Sequence, residues 1–254
     1  MTELAESSRK TLSEGYYEVG ESGFPVRSLS GALRGADRTP IIAEVKFRSP
    51  AEGPLRSPGS VAEIASAYER GGAAGISVLT EPKHFAGRLD YVTVVKRSVS
   101  LPVLMKDIVI DKVQIEAASS VGADAILLMV SLFTAGLTTE SLPRMIDHAH
   151  DHGLEVLLEA HTDKEFRSSL ESEADIVGIN NRDLDTLKVS LNTSRRLLRR
   201  RYDKRSKPVI CESGISRRDE VVELLGLGAD GFLVGSAIMK SGDIEGKLRS
   251  LVGE

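Results

Sequence analysis

LPVLMKDIVIDKVQIEAASSVGADAILLMVS, residues 101–131, contains a strand–helix–strand unit. PVLMK is an apolar run ending at Lys106, and Asp111 is an N-cap candidate for a helix over 111–121. Gly122-Ala-Asp124 is a turn of small residues, and AILLMVS (125–131) is a second apolar run. Neither run alternates apolar with polar residues, as expected of parallel strands buried on both faces. Outward from this unit the pattern recurs. IIAEVK (41–46) and GISVLTE (75–81) precede it; EVLLEAH (155–161), DIVGINN (175–181), PVICESG (208–214) and GFLVGS (231–236) follow. Stretches with helical spacing separate the runs. Eight such units predict an α/β fold, a single-domain (β/α)8 TIM barrel, whose active-site residues sit at the carboxyl ends of the strands. The runs end at Lys46, Glu81, Lys106, Ser131, Glu159, Asn180, Glu212 and Ser236.

The barrel is expected over 40–254, preceded by an arm with an extra helix over 1–39. Val26, Leu29 and Leu33 recur at helical spacing, which predicts a helix near 26–35 on the barrel mouth or flank. Residues 1–21 are expected to be a loosely ordered arm or a helix. RSPAEGPLRSPGS (48–60) is too long for a simple strand-to-helix turn and reads as a functional loop. It ends at Ser60, an N-cap candidate with Glu63 at the capping-box position. Further helices are expected over 88–98, 138–152, 163–171, 192–201, 217–226 and 243–252, with Ser216 capping the last but one. Glycines at 71–75, 122 and 228 end three helices before the next strand.

The chain has 254 residues and a formal net charge of −4, which argues against non-specific nucleic-acid binding. A single cysteine, Cys211, excludes an intramolecular disulfide and fits a reducing cytoplasm. MTELAESSRK has no apolar core of a signal peptide, and no run approaches a membrane span. Trp is absent and aromatics are 4 %, so the core is expected to be aliphatic.

Lys106 is the sharpest candidate for chemistry. Its stem follows a buried strand and its head reaches the cavity mouth, where desolvation and nearby cations would lower its pKa toward general-acid duty. The competing reading is a solvent lysine bonded to Asp107. Glu44 and Lys46, two apart, share a face; together under the helix layer they would be costly, so a pair lining the cavity is favoured. Glu159, Glu81 and Glu212 repeat the placement of an ionisable group at a strand end. Gly214, Gly235 and Ser236, after the last two strands, read as a phosphate cradle, against tight turns with no ligand. His148, His150 and His152 crowd a helix end with no partner ligand evident, so no metal site is expected. RRLLRRRYDKR (195–205) reads as a solvated helix face, and Cys211 lacks the adjacent histidine of a thiolate nucleophile.

IIAEVKFRSP, VLTEPKHFAG, LPVLMKD, LLEAH, GINNRDL, ESGI and FLVGSAIM resemble, in order, the motifs of the indole-3-glycerol phosphate synthase family. The resemblance runs from about Val26 to the C-terminus. It implies that 1-(o-carboxyphenylamino)-1-deoxyribulose 5-phosphate is closed to indole-3-glycerol phosphate with loss of CO2 and water, a step of tryptophan biosynthesis. It further implies no metal or organic cofactor, a small phosphorylated substrate, and no nucleic-acid or membrane partner. A monomer or weak homo-oligomer with possible contact to a pathway enzyme is expected. By the same resemblance Lys106 is the general acid and Glu159 the partner carboxylate. Glu44 and Lys46 lie at the anthranilate end, and how the two lysines divide the proton transfers stays open. Asn180, Glu212 and Ser213 match residues around the sugar, while Ser49, Gly214, Gly235 and Ser236 match the phosphate site. Glu81, Phe85, Leu128, Arg182, Leu184 and Leu233 would shape the pocket. Ile108 stands there where the family often has an aromatic. Phe47 replaces a commonly basic residue and Ala51 a second serine. Two other readings are weighed: a phosphosugar isomerase such as phosphoribosylanthranilate isomerase, which would need a Cys/Asp or Asp/Asp pair, and a non-catalytic phosphometabolite-binding subunit.

Overall fold

A computed structural model describes residues 1–20, 23–57, 59–184, 186–200 and 207–254. Eight parallel strands close into a barrel: β1 (Ile41–Val45), β4 (Gly75–Leu79), β5 (Val103–Lys106), β6 (Ala125–Met129), β7 (Glu155–Ala160), β8 (Ile176–Asn180), β9 (Val209–Glu212) and β10 (Gly231–Val234). Two short strands in the long first loop, β2 (Arg48–Ser49) and β3 (Gly53–Pro54), pair as an antiparallel hairpin.

Side-chain alternation, invisible in the all-apolar runs, separates two cores. Ile42, Leu104, Leu127, Leu157, Ile176, Ile210 and Leu233 fill the barrel interior. Their neighbours Ile41, Ala43, Val103, Met105, Ile126, Leu128, Leu158, Val177, Cys211 and Phe232 pack outward against the helices.

Among the described residues, eleven helices lie between or after the barrel strands. α3 (Val61–Arg70) starts at Ser60, whose side chain accepts from the Glu63 backbone N–H. α4 (Pro82–Phe85) and α5 (Asp90–Ser98) follow β4. α6 (Lys112–Val121) carries a full capping box between Asp111 and Gln114 and ends at Gly122 in the left-handed region, φ 91°. α7 (Val130–Thr134), α8 (Leu142–Asp151), α9 (Asp163–Glu171) and α10 (Asn192–Leu198) come next. α11 (Arg218–Gly226), α12 (Ser236–Met239) and α13 (Ile244–Val252) complete the ring. Ser131 therefore belongs to α7 rather than to a strand end, and α11 is capped by Arg217, one residue beyond Ser216. α10 ends at Leu198, short of the helix read as 192–201, and the basic run beyond Arg200 lies outside the described residues; before it, Arg195 pairs with Glu223 and Arg200 with Asp163.

The N-terminal arm holds two helices, α1 (Thr2–Ser13) and α2 (Leu29–Arg34), at opposite ends of the barrel. α2, expected on the mouth or flank, instead closes the amino-terminal end. Leu29 packs on Gly75 and Leu33 on Gly231, the first residues of β4 and β10. Ser28 and Ser30 bond the carboxylate of Glu155, which opens β7. α1 lies over the carboxyl ends, where Ser8 Oγ donates to the Ile108 carbonyl at 2.6 Å and Arg9 reaches the Leu137 carbonyl. Beyond α1, the Tyr16 hydroxyl donates to the Thr80 carbonyl and that of Tyr17 to Asp107. No helix among the described residues is long and apolar enough to cross a membrane.

Candidate active site

The carboxyl ends of the strands open into a cavity of about 340 Å³. Glu44, Lys46, Ser49, Glu81, Phe85, Lys106, Ile108, Glu159, Asn180, Arg182, Leu184, Glu212, Ser213 and Leu233 all line it. A second lobe joins it at Lys46, Arg182, Ser213 and Leu233 and is walled by Gly214, Gly235 and Ser236. Ser49 faces the first lobe, away from the glycines with which it was grouped. Leu128 is a correction. It points into the outer core, and Leu127 and Met129 take its expected place, because β6 alternates and an all-apolar run carries no mark of which parity faces in.

Strand register brings the ionisable groups together. Leu79 pairs with Lys106, Glu159 with Gly178, and Asn180 with Glu212. Lys106 Nζ lies 3.7 Å from Glu212 Oε2 and 4.0 Å from Glu44 Oε2, and Lys46 Nζ lies 2.6 Å from Glu44 Oε1. Asp107 is not the partner of Lys106: its carboxylate turns behind the strand to Thr80, the Ile108 backbone N–H and Tyr17. Burial pushes the Asp107 carboxyl up to about 6 against those hydrogen bonds.

The electrostatics of Lys106 differ from expectation. Burial alone would push its amine down, but the carboxylates of Glu212, Glu44 and Glu159 outweigh it and hold the pKa above the ordinary lysine value. The neighbours are acids, not cations, so Lys106 enters chemistry as a firmly held ammonium. For Glu44, Lys46 and Lys106 outweigh burial and keep the carboxyl below its usual range. Glu212 goes the other way. Burial, with Glu159 and Glu44 nearby, raises it to about 8 despite Lys106, and neither carboxylate oxygen has a hydrogen-bond partner.

Space for these carboxylates comes from missing side chains. A Cβ on Gly178 would sit 2.2 Å from Glu212 Oε1, and one on Gly235 would sit 2.3 Å from Glu44 Oε1. Gly235 thus seats a catalytic candidate as well as walling the second lobe. Ser213 adopts φ 64°, a left-handed conformation unusual for serine, and hands on to Gly214 at φ 82°. Asn181 fixes this turn by donating to the Glu212 and Ser213 carbonyls. Asn180 Oδ1 accepts from the Arg182 backbone N–H, and Arg182 in turn donates to the Leu187 carbonyl.

Glu81 does structural work at the rim: its carboxylate accepts from the backbone N–H groups of Lys83, His84 and Phe85 and from Ser7 Oγ. Phe47 stacks edge-on with Tyr91 in the outer core, so the family's usual basic side chain is replaced by an anchor for the loop base. Met1 and Leu4 of α1, Glu52 and Lys240 also line the two lobes and were not singled out from sequence. Lys240 could have been found, since it lies four residues after Ser236 and so shares its helical face. Of the three histidines, His148 and His152 gather with Glu116, their ligand atoms within 4.8 Å of one another and outside both lobes, while His150 pairs with Asp175.

A family model described as indole-3-glycerol phosphate synthase matches residues 3–251. An indole-3-glycerol phosphate synthase of Methanopyrus kandleri is 44 % identical over 257 residues, covering 99 % of this chain and 97 % of its own. That of Aquifex aeolicus is 44 % identical over 215 residues, covering 85 % and 82 %. Among solved structures, a mutant tryptophan synthase alpha-subunit from Pyrococcus furiosus superimposes with TM-score 0.63 at 18 % identity, over 85 % of this chain and 99 % of that one, which speaks to fold alone.

Proposed function

The chain belongs to the indole-3-glycerol phosphate synthase family, and from that premise we propose how its own residues run the decarboxylating ring closure. The substrate is 1-(o-carboxyphenylamino)-1-deoxyribulose 5-phosphate. Its phosphate lies in the second lobe against the turns of Gly214 and Gly235, with the Ser236 hydroxyl and Lys240 beside it. Its ring lies among Phe85, Ile108, Leu184 and Leu233, with Leu127 and Met129 beneath. Lys106 donates a proton to the ribulose carbonyl oxygen as the ring carbon bonds to the carbonyl carbon. CO2 then leaves from the same ring carbon, and its bonding pair restores the ring. Loss of the new hydroxyl as water needs one proton on that oxygen and one removed from the substrate. Lys46 or Lys106 gives the first, and Glu159 takes the second.

The observation that carries this reading is one cation, Lys106, held among three carboxylates at one end of a cavity whose other end is walled by glycine turns. Chemistry of this kind gains about a hundred- to ten-thousandfold from a positioned acid. An isomerase on the same barrel would need a Cys/Asp or Asp/Asp pair in the cavity, but Cys211 packs in the outer core and Asp107 is the single aspartate lining either lobe among the described residues. Incubation with the carboxyphenylamino-deoxyribulose phosphate should yield indole fluorescence and one equivalent of CO2. Absence of product at high protein concentration would sink the proposal.

A pH dependence follows from Glu212. Below about pH 8 its carboxyl is protonated in the free protein, and an anionic substrate meets one negative charge fewer. As pH rises through that value Glu212 ionises, repels the substrate and ties Lys106 more tightly to its proton. The expected kcat/KM therefore falls across the range near pH 8, and Glu212→Gln removes that limb while lowering the plateau. An unchanged limb in Glu212→Gln would assign the titration to another group.

A further inference from the structure

An acidic side chain of the protein itself sits in the second lobe. Glu52 lies in the turn of the β2–β3 hairpin, just before Gly53 at φ 67°. Its Oε1 accepts from the Ser236 hydroxyl at 2.9 Å, its Oε2 is paired with Lys240 Nζ, and Arg182 Nη2 lies 3.8 Å from Oε1. One carboxylate thus engages three side chains with donor groups that wall the lobe. The hairpin is held from both sides while it does so: Arg48 reaches the His84 carbonyl of α4, and Arg56 donates to the carbonyls of Met239 and Ser241 beside α12.

We infer that Glu52 is a built-in competitor for the substrate phosphate, a carboxylate latch that occupies the anion lobe when phosphate is absent and is displaced when it binds. The inference rests on the reading of that lobe as the phosphate site. The chemistry favours exchange. A phosphate dianion carries about twice the charge of a carboxylate and three acceptor oxygens, so it can satisfy Ser236, Lys240 and Arg182 together and adds the backbone N–H groups of the glycine turns. Glu52 left in place would put a like charge against the phosphate. Displacement therefore frees the hairpin turn at the moment the substrate arrives, while Arg48 and Arg56 keep its two ends attached. Ala51, next to it, offers no hydroxyl that could take over its contacts.

The test uses the full chain with inorganic phosphate as probe, by calorimetry at fixed ionic strength. Glu52→Gln keeps a hydrogen-bonding side chain of the same size and removes the charge. It is expected to bind phosphate about tenfold more tightly than the wild type. In a Lys240→Met background both proteins bind more weakly, and the gain from Glu52→Gln shrinks to about twofold, since the latch has lost its main partner. Equal phosphate affinities for wild type and Glu52→Gln would overturn the latch and leave the phosphate site standing. No phosphate binding by either protein would overturn the site reading and the latch with it. Thermal unfolding of each variant separates these outcomes from a loss of fold.

Discussion

Lys106→Met is expected to lower kcat about a thousandfold or more while the barrel still folds. The side chain ends β5 inside a ring of three carboxylates, 3.7 Å from Glu212 and 4.0 Å from Glu44. Methionine fills nearly the same volume, so the barrel interior stays packed. What goes is the proton donor assigned to the reacting carbonyl and the charge that offsets its neighbours. Glu44, Glu159 and Glu212 then share one cavity with Lys46 and Arg182 as the remaining cations. Glu44 loses one of the two lysines that keep it low, and Glu212, which burial already holds near 8, rises further. A carboxyl whose folded pKa lies above its unfolded value stabilises the fold at low pH and loses that contribution as pH climbs through the folded value. The variant should therefore melt close to the wild type at pH 6 and distinctly below it at pH 8.5. Single-turnover fluorescence measures the chemical step, and circular dichroism at the two pH values measures the fold. Near-normal turnover would remove Lys106 from the acid role. A melting difference independent of pH would mean the carboxylates are solvated well enough to ignore its charge.

The barrel was legible because eight apolar runs, each with a polar stop, leave few other ways to bury so many strands on both faces. Most of the site was legible for the same reason: a charge at the end of a buried run has only the cavity to face. Where that logic weakens, so did the reading. Leu128 could not be told from Leu127 because both neighbours are apolar, and only register assigns the parity. α2 was expected on the mouth or flank and α1 covers the mouth instead, because amphipathic spacing reports that a face is buried, not which end of the barrel buries it. The raised pKa of Lys106 was missed for a different reason. Its sign depends on which charges the closed barrel brings near it, and Glu44, Glu159 and Glu212 come from three strands spread over almost the whole chain. Glu52 carried no signal at all, since a glutamate in a Pro- and Gly-rich loop is ordinarily solvated.

Gly87 is the position at which adding one methyl group is expected to cost the fold most outside the barrel core. An alanine Cβ there would lie 2.4 Å from the Leu79 carbonyl oxygen, 2.6 Å from its carbon and 2.8 Å from the Thr80 carbon. These are backbone atoms at the end of β4, so no side-chain rotation relieves the clash; the loop itself must move. It has little freedom to do so. The Gly87 N–H donates to the Glu81 carbonyl at 2.9 Å, Ala86 is already left-handed at φ 53°, and Glu81 holds three successive backbone N–H groups of α4. Any shift that seats the methyl group breaks part of that cap, at roughly 3 kcal/mol for overpacking and lost bonds together. For a chain of this size that corresponds to a Tm lower by roughly 6–12 °C. The same shift carries Phe85 away from the cavity, so KM for the carboxyphenyl substrate should rise severalfold with kcat less affected. Gly226→Ala is the matched control: it ends α11 with nothing within 4 Å of the added Cβ, and alanine there should leave Tm unchanged or slightly higher. If Gly87→Ala melts with the wild type and keeps its KM, the Glu81 cap is not rigid. Phe85 would then be placed by Leu79 and the barrel end rather than by the loop that bears it.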